Sequence, residues 1–277
     1  MTRATLLSAA AVAVLSQSAA AFVPACVPAL RATRSMATSG PMGLRALAGD
    51  DPLRVYLVRH GAVDLTTPGM TFPKDCFYGG HDVPLSTLGK EEAQAAADTL
   101  EGEGIEMVFC SPLQRAAFGA ACVADKLGGM ELLMDDRFKE INRGRWLGLT
   151  RTDINQTFPE DLKSFQQDPE WKGHGGESYS DLTARVLAGL DDAMAAARAK
   201  GAKRVALVSH MWVTKAIITT AMGILPQEQD KWIAMEIPTG SISVLDYPAK
   251  GRAAEVVQLG IKPALKGGAG AKVLWGG

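Results

Sequence analysis

The stretch Arg54-Val55-Tyr56-Leu57-Val58-Arg59-His60-Gly61 constrains the fold more than any other part of this 277-residue chain. Val55 to Val58 form a short apolar run that stops abruptly at Arg-His-Gly, the pattern of a buried strand followed by a sharp turn. Such a turn sets a guanidinium and an imidazole side by side at the strand's carboxyl end. In open α/β sheets that edge is where ligands bind, and an Arg fork beside an imidazole suits a phosphate group. Taken alone, the tripeptide reads equally well as a chance sequence on a surface turn. The rest of the chain has to decide.

The length allows one large domain or two small ones with ample chain for a core. Hydrophobic residues at 47% and charged residues at 21% are those of an ordinary globular protein. The net charge of −1 hides an asymmetry: residues 1–49 hold four arginines and no acid, leaving −5 for the remainder. An acidic body gives no reason to expect nucleic acid as a partner. In the first 49 residues, Arg3, the apolar run Leu6–Leu15 and Ala19-Ala20-Ala21 have the order of a secretory signal peptide, and the run is too short for a membrane span. Phe22 and an Arg-, Ser- and Thr-containing, acid-free stretch follow, which is transit-peptide chemistry. The expected organisation is therefore a bipartite leader at 1–49, a folded domain at 50–262 and a flexible tail at 263–277. A plastid address is expected, with secretion as the alternative and no stable membrane insertion. Cys26 falls in the leader; Cys76, Cys110 and Cys122 offer neither a disulfide framework nor a cysteine-based zinc pattern.

Along the chain, Asp64–Phe77 reads as a long loop, and Tyr78-Gly79-Gly80-His81 continues it. His81 suits either a pocket rim or a solvated turn. Ser86 is a good N-cap for a helix whose alanine-rich register runs to Leu100 and that ends near Gly102 and Gly104. Ile105–Cys110 reads as a second strand and Leu132–Met134 as a short one. Arg115 falls in the first turn of the helix that runs to about Leu127, where the dipole favours an anion, so a bound anion would explain it. The charged segment Asp135–Gly148 has no helical or strand period and reads as a loop with Glu140 as its candidate acid. Residues 150–172 predict short helices forming a cap. Ser178 to about Lys200 predicts a long helix with Leu182, Val186, Leu190 and Met194 on one face. Lys203–Ser209 is a clear strand ending in His210, with a helix from about Val213 to Met222, which repeats the layout at His60. His174 reads as structural or exposed. Ser241–Leu245 and Ala254–Leu259 predict a hairpin at the sheet edge. The alternation gives an α/β fold: a three-layer α/β/α sandwich with a mostly parallel central sheet and a small helical cap. Arg59, His60, Arg115 and His210 each sit at a strand end, and in one sheet those ends converge.

This set resembles the histidine phosphatase superfamily, the phosphoglycerate-mutase-like family, over about residues 54–260. Arg59-His60-Gly61, Asp82–Gly89, Ser111–Ala116, Glu140–Gly148, Gly175–Ser178 and Val208–His210 match its motifs in order. The resemblance implies that His60 is the nucleophile, taking the phosphoryl group as phosphohistidine. Arg59, Arg115 and His210 would clamp the phosphoryl oxygens, with Gly61 and Met211 also lining the phosphate site. Glu140 would protonate the leaving oxygen and then activate water. Neither cofactor nor metal is expected, the partner is a small phosphate ester, and a homodimer is compatible with the sequence.

Three departures bear on substrate choice. Ala62-Val63-Asp64 lacks the Asn usual after the first motif, Leu147 replaces a Glu, and bulky Met211-Trp212 follow the second His. The expected activity is a metal-independent phosphomonoesterase on a small metabolite, a sugar or sugar-acid phosphate. The rivals are a cofactor-dependent phosphoglycerate mutase, disfavoured because Gly148-Leu149-Thr150 passes directly into a helix, and a non-catalytic binder of phosphate esters. A cobalamin-pathway phosphatase is a further variant of the hydrolase reading.

Overall fold

The structure, a computed structural model, describes residues 52–67, 72–249 and 253–266. The leader expected at 1–49 and most of the expected tail lie outside the described residues. Six strands form one sheet in the order β3-β2-β4-β1-β5-β6: β1 is Leu53–Arg59, β2 Met107–Cys110, β3 Leu132–Met134, β4 Arg204–Ser209, β5 Ile242–Tyr247 and β6 Glu255–Ile261. The first four in that order pair in parallel, and β5 and β6 are antiparallel. The expected mixed α/β sandwich is observed.

Side-chain alternation assigns the two faces. Leu53, Val55 and Leu57 of β1, with Val205 and Leu207 of β4, pack into one core together with α5 (Tyr179–Ala199) and α6 (Met211–Ala221). Tyr56, Val58, Ala206 and Val208 face the other way, against α1 (Thr87–Leu100) and α2 (Gln114–Lys126). A central parallel strand buried on both faces needs apolar residues at successive positions, which explains the run at Val55–Val58. Ser86 caps α1 by accepting from Gly89 N. Thr150 and Ser178 open α3 (Arg151–Thr157) and α5 with capping boxes closed by Asp153 and Asp181. Pro159 starts α4 (Pro159–Gln167) at a position needing no N–H. Ile154, Leu162 and Phe165 turn the cap inward and are buried.

Several element bounds differ from the sequence expectation, and one helix is added. β2 begins at Met107, although Glu106 N still donates to Arg204 O of β4. α6 begins at Met211, directly after His210, and a short helix α7 (Gln229–Ala234) was not anticipated. Among the described residues no helix is long and apolar enough to cross a membrane.

The turn after β1 is seated on α1 through two glycines. A Cβ on Gly61 would overlap the Gly89 carbonyl, and one on Gly89 would overlap the Ala62 carbonyl. Both obstacles are backbone, so no side-chain rotation relieves them. Alanine gains about 1 kcal/mol over glycine in a helix interior, while overpacking costs about 1–3 kcal/mol or more. Overlap with backbone sits at the upper end, so Gly89→Ala should destabilise by about 2 kcal/mol. Urea unfolding tests this, and an unchanged or raised midpoint would mean the turn yields freely.

Candidate active site

The carboxyl ends of three adjacent strands bring the site together. Arg59 pairs in register with Ser209, and Cys110 with Val208. His60 N donates to Ser209 O and Ser111 N donates to Val208 O, so His60, Ser111 and His210 emerge side by side at one sheet edge. The two imidazole centroids are 5.1 Å apart, edge to face.

His60 is buried, and its Nδ1 lies 2.7 Å from the Gly61 carbonyl. A carbonyl only accepts, so Nδ1 carries the hydrogen and Nε2 keeps its lone pair. Arg115 Nε donates to that Nε2 at 3.3 Å. Burial, then the charges of Arg115 and Arg59, hold His60 well below the ordinary imidazole range. His210 is pushed down likewise, first by burial and then by Arg115. Its Nε2 lies 2.8 Å from Ser111 Oγ, while its buried Nδ1 has no partner.

The sequence placed Arg115 at a helix N-terminus in want of an anion. That terminus is served by Asp82, whose Oδ1 accepts from Gln114 N at 2.7 Å. The Arg115 guanidinium turns inward, donating to the carbonyls of His81 and Gly79 at 2.6 and 2.7 Å. These are neutral acceptors, so its charge is not cancelled by a direct ion pair among the described residues. Arg59 donates to Ile237 O, and its Nε is buried without a partner. His81 itself is an exposed turn residue, its ring edge-on to Phe72 at 5.6 Å, and it lines with Glu140 a cavity of about 480 Å³, the pocket rim the sequence left open.

Glu140 is buried, accepting from Ile141 N at 3.0 Å and Trp212 N at 3.4 Å. Its loop is held by Arg185 of α5, which donates to the carbonyls of Arg137, Lys139 and Glu140 and pairs with Glu177. Glu177 also accepts from Asn142 N. Glu177, from the matched motif Gly175–Ser178, and Arg185, which the sequence reading passed over, are positioning residues. So is Glu92, a buried carboxylate joining Ala62 N at 2.7 Å, Thr239 Oγ1 at 3.1 Å and Lys262 Nζ at 2.6 Å. It fixes the turn that carries Gly61. Gly61 meets the site through its carbonyl, and its missing side chain serves contact with α1. Met211 lines, with Trp212 and Arg59, a cavity of about 450 Å³.

His174 is buried among aromatic rings, 4.6 Å from the Trp146 centroid, and accepts from Gly176 N through Nδ1. It is structural. Burial pushes it down to about 4. Cys110 is buried and its thiol is raised to about 12 by burial, so it is an inert core residue. Among the described residues no group of three or more His, Cys, Asp and Glu side chains is placed to hold a metal ion.

Three histidines held neutral have a consequence for stability. Their ordinary value is 6.5, and each is lower when folded. As pH falls below about 6.5, the unfolded chain takes up protons that the folded chain refuses. Their contribution is therefore present above that pH and lost below it, at about 1.4 kcal/mol per pH unit for each histidine. Denaturant midpoints between pH 8 and pH 4 test this. A midpoint as high at about pH 4.5 as at about pH 7 would contradict neutral buried histidines.

The model for the histidine phosphatase superfamily, branch 1, matches residues 55–259. The chain belongs to this superfamily. Glucosyl-3-phosphoglycerate phosphatase of Mycolicibacterium vanbaalenii is 28% identical over 175 residues, covering 62% of this chain and 75% of that relative. Phosphoserine phosphatase 1 of Hydrogenobacter thermophilus is 27% identical over 173 residues, covering 62% and 77%. Among solved structures, a mycobacterial glucosyl-3-phosphoglycerate phosphatase in complex with inorganic phosphate superposes with a TM-score of 0.59 at 27% identity, covering 70% of this chain and 89% of that one. His60, His210, Arg59, Arg115 and Glu140 together make a site of net positive charge.

Proposed function

We propose that the chain is a phosphoric monoester hydrolase that acts on a small phosphorylated metabolite through a phosphohistidine on His60. One observation carries this reading: the Nδ1 hydrogen of His60 is committed to the Gly61 carbonyl, leaving Nε2 as a lone pair facing Arg115. Superfamily membership and relatives named as phosphatases support the hydrolase class.

In the first step Nε2 attacks phosphorus as the ester P–O bond breaks, and Glu140 gives its proton to the leaving oxygen. Arg115 releases Nε2 and turns its Nε–H to a phosphoryl oxygen, with Arg59 Nε–H on another. In the tautomer that carries its hydrogen on Nδ1, His210 Nε2 accepts from the Ser111 hydroxyl and its otherwise unpartnered Nδ1–H serves a third. These donors fix the in-line geometry and offset the charge of the transferring group. In the second step Glu140 takes a proton from water as the water oxygen attacks phosphorus and the P–N bond breaks. Inorganic phosphate leaves with the site restored. No metal enters either step. A sugar or sugar-acid phosphate fits the cavity's size and its mixed polar and aromatic wall.

The test is phosphate release from a panel of phosphorylated metabolites in EDTA, with alkaline-quench trapping of the phosphoenzyme from labelled substrate. Release together with a base-stable, acid-labile label supports the reading. A label that passes to a second metabolite instead of water would favour the mutase, and binding without turnover would favour a non-catalytic member.

A further inference from the structure

Ser111 stands where β2 ends, four residues before Arg115, and it is fully buried. Its place is fixed from both sides. Its N–H donates to Val208 O, and the proline that follows disfavours helical backbone at Ser111. Its Oγ accepts from Leu113 N at 3.3 Å, which closes a short turn, and lies 2.8 Å from His210 Nε2.

Two hydrogens have to be placed on that contact. Burial and the charge of Arg115 hold His210 well below the ordinary imidazole range, so near neutral pH its ring carries one hydrogen. The hydroxyl carries the other. If the ring hydrogen were on Nε2, it would go to Oγ, and the hydroxyl hydrogen would have no acceptor among the described residues. The Nδ1 lone pair would also stay buried without a donor. With the ring hydrogen on Nδ1, the hydroxyl donates to Nε2 and both sides of the contact are satisfied. A single Nδ1–H is left over, and a phosphoryl oxygen is the acceptor it lacks.

We propose that Ser111 is a positioning residue: by donating to Nε2 it holds His210 as the Nδ1–H tautomer, and so makes this ring a donor to the phosphoryl group. The proposal rests on the phosphatase reading for what the Nδ1–H meets. Both histidines then carry the hydrogen on Nδ1 and differ in which nitrogen the fold covers. The Gly61 carbonyl covers Nδ1 of His60 and leaves a lone pair for attack on phosphorus, whereas Ser111 covers Nε2 of His210 and leaves an N–H. The junction of β2 and α2 addresses both rings, since Arg115 Nε donates to His60 Nε2.

The test is the nitrogen NMR spectrum of the full chain with its histidine rings isotope-labelled, the His210 signals being those missing from His210→Ala. Wild type should show His210 protonated on Nδ1, and Ser111→Ala should move that hydrogen to Nε2 in part or in full. A wild-type ring protonated on Nε2, or a tautomer unchanged in Ser111→Ala, overturns the proposal. A purely structural hydroxyl would not move this readout. On a cleavable ester, Ser111→Ala should lower kcat by about 10²-fold, the loss typical of one donor to developing charge, with KM changed less than about threefold. Ser111→Thr, which keeps the hydroxyl, should restore most of the rate. In a His210→Ala background, adding Ser111→Ala should cost less than about twofold, because the hydroxyl acts through that ring. A full additional loss there would place its action elsewhere and overturn the assignment. If circular dichroism shows that Ser111→Ala does not fold, Ser111→Cys, a weaker donor, carries the comparison and should give mixed tautomers. Should wild type cleave no ester, the phosphatase reading fails by itself, and the ring spectra still decide the tautomer. Calorimetry with inorganic phosphate then reads its use: binding about tenfold weaker in Ser111→Ala supports the proposal, and equal binding overturns it.

Discussion

Replacing His60 with alanine should lower phosphate release by about 10⁴-fold or more and abolish the trapped phosphoenzyme. Alanine leaves no nucleophile on the sheet edge, and no neighbouring side chain substitutes. His210 lies 5.1 Å away centroid to centroid, but its Nε2 is engaged by Ser111. The cations persist in the variant, so inorganic phosphate should still bind within about tenfold of wild type, since Arg59 and Arg115 supply its strongest contacts. The pairing of lost turnover with retained binding separates a missing nucleophile from a collapsed site. His60→Ala also removes one of the three groups that refuse a proton in the folded state. The decline in stability below about pH 6.5 should therefore become shallower by about 1.4 kcal/mol per pH unit. Turnover persisting within about tenfold of wild type would rule out the phosphohistidine route and shift the chemistry to direct attack by water.

What the sequence made legible is what a short window contains. The apolar run Val55–Val58, the cap at Ser86, the strand at Leu132–Met134 and the imidazole after Ser209 are local patterns, and the structure places each where the pattern put it. The convergence of Arg59, His60, Arg115 and His210 followed from topology, because parallel neighbours share one carboxyl edge. Less legible were residues whose role depends on partners far along the chain. Arg185 sits beside Leu182 and Val186 on α5, and nothing in that spacing shows that it reaches back to the carbonyls of Arg137 and Lys139. Glu92 looked like an ordinary helix carboxylate, yet its bond partners are Ala62, Thr239 and Lys262. Arg143 stood among so many charges in the loop Asp135–Gly148 that nothing in the sequence singled it out. Aromatic residues from the cap and from α6 bury it. The one usable signal was the density of Phe and Trp in the following cap, which a lone surface loop would not need. α7 escaped notice because six residues are too few for a period, although Trp232 is buried.

The second large effect separates the two roles assigned to Glu140. Glu140→Gln keeps the shape of the side chain and its contacts to Ile141 N and Trp212 N, while losing the proton that serves the leaving oxygen. With an alkyl phosphate the leaving alkoxide is a strong base, so turnover should fall by about 10²- to 10⁴-fold. With p-nitrophenyl phosphate the leaving phenolate departs without a proton, and the first step should be nearly as fast as in wild type. The second step still requires a base to take the proton from water, and glutamine has none to offer. The variant should therefore release one equivalent of p-nitrophenol in a burst and then stall, with the phosphoryl group held on His60. Rapid-quench measurement of p-nitrophenol and of protein-bound phosphate reads both steps at once. A burst with stoichiometric label assigns acid and base to one carboxyl. Equal losses on both esters without a burst would place the proton transfers on another group and leave Glu140 to the electrostatics of a site crowded with cations. The buried position of Glu140 between Arg115 and Arg143, which both feel its charge, favours the burst. Among the described residues Glu140 is the carboxylate whose charge reaches both Arg115 and Arg143, which makes it the group best placed to pass a proton toward the phosphoryl centre.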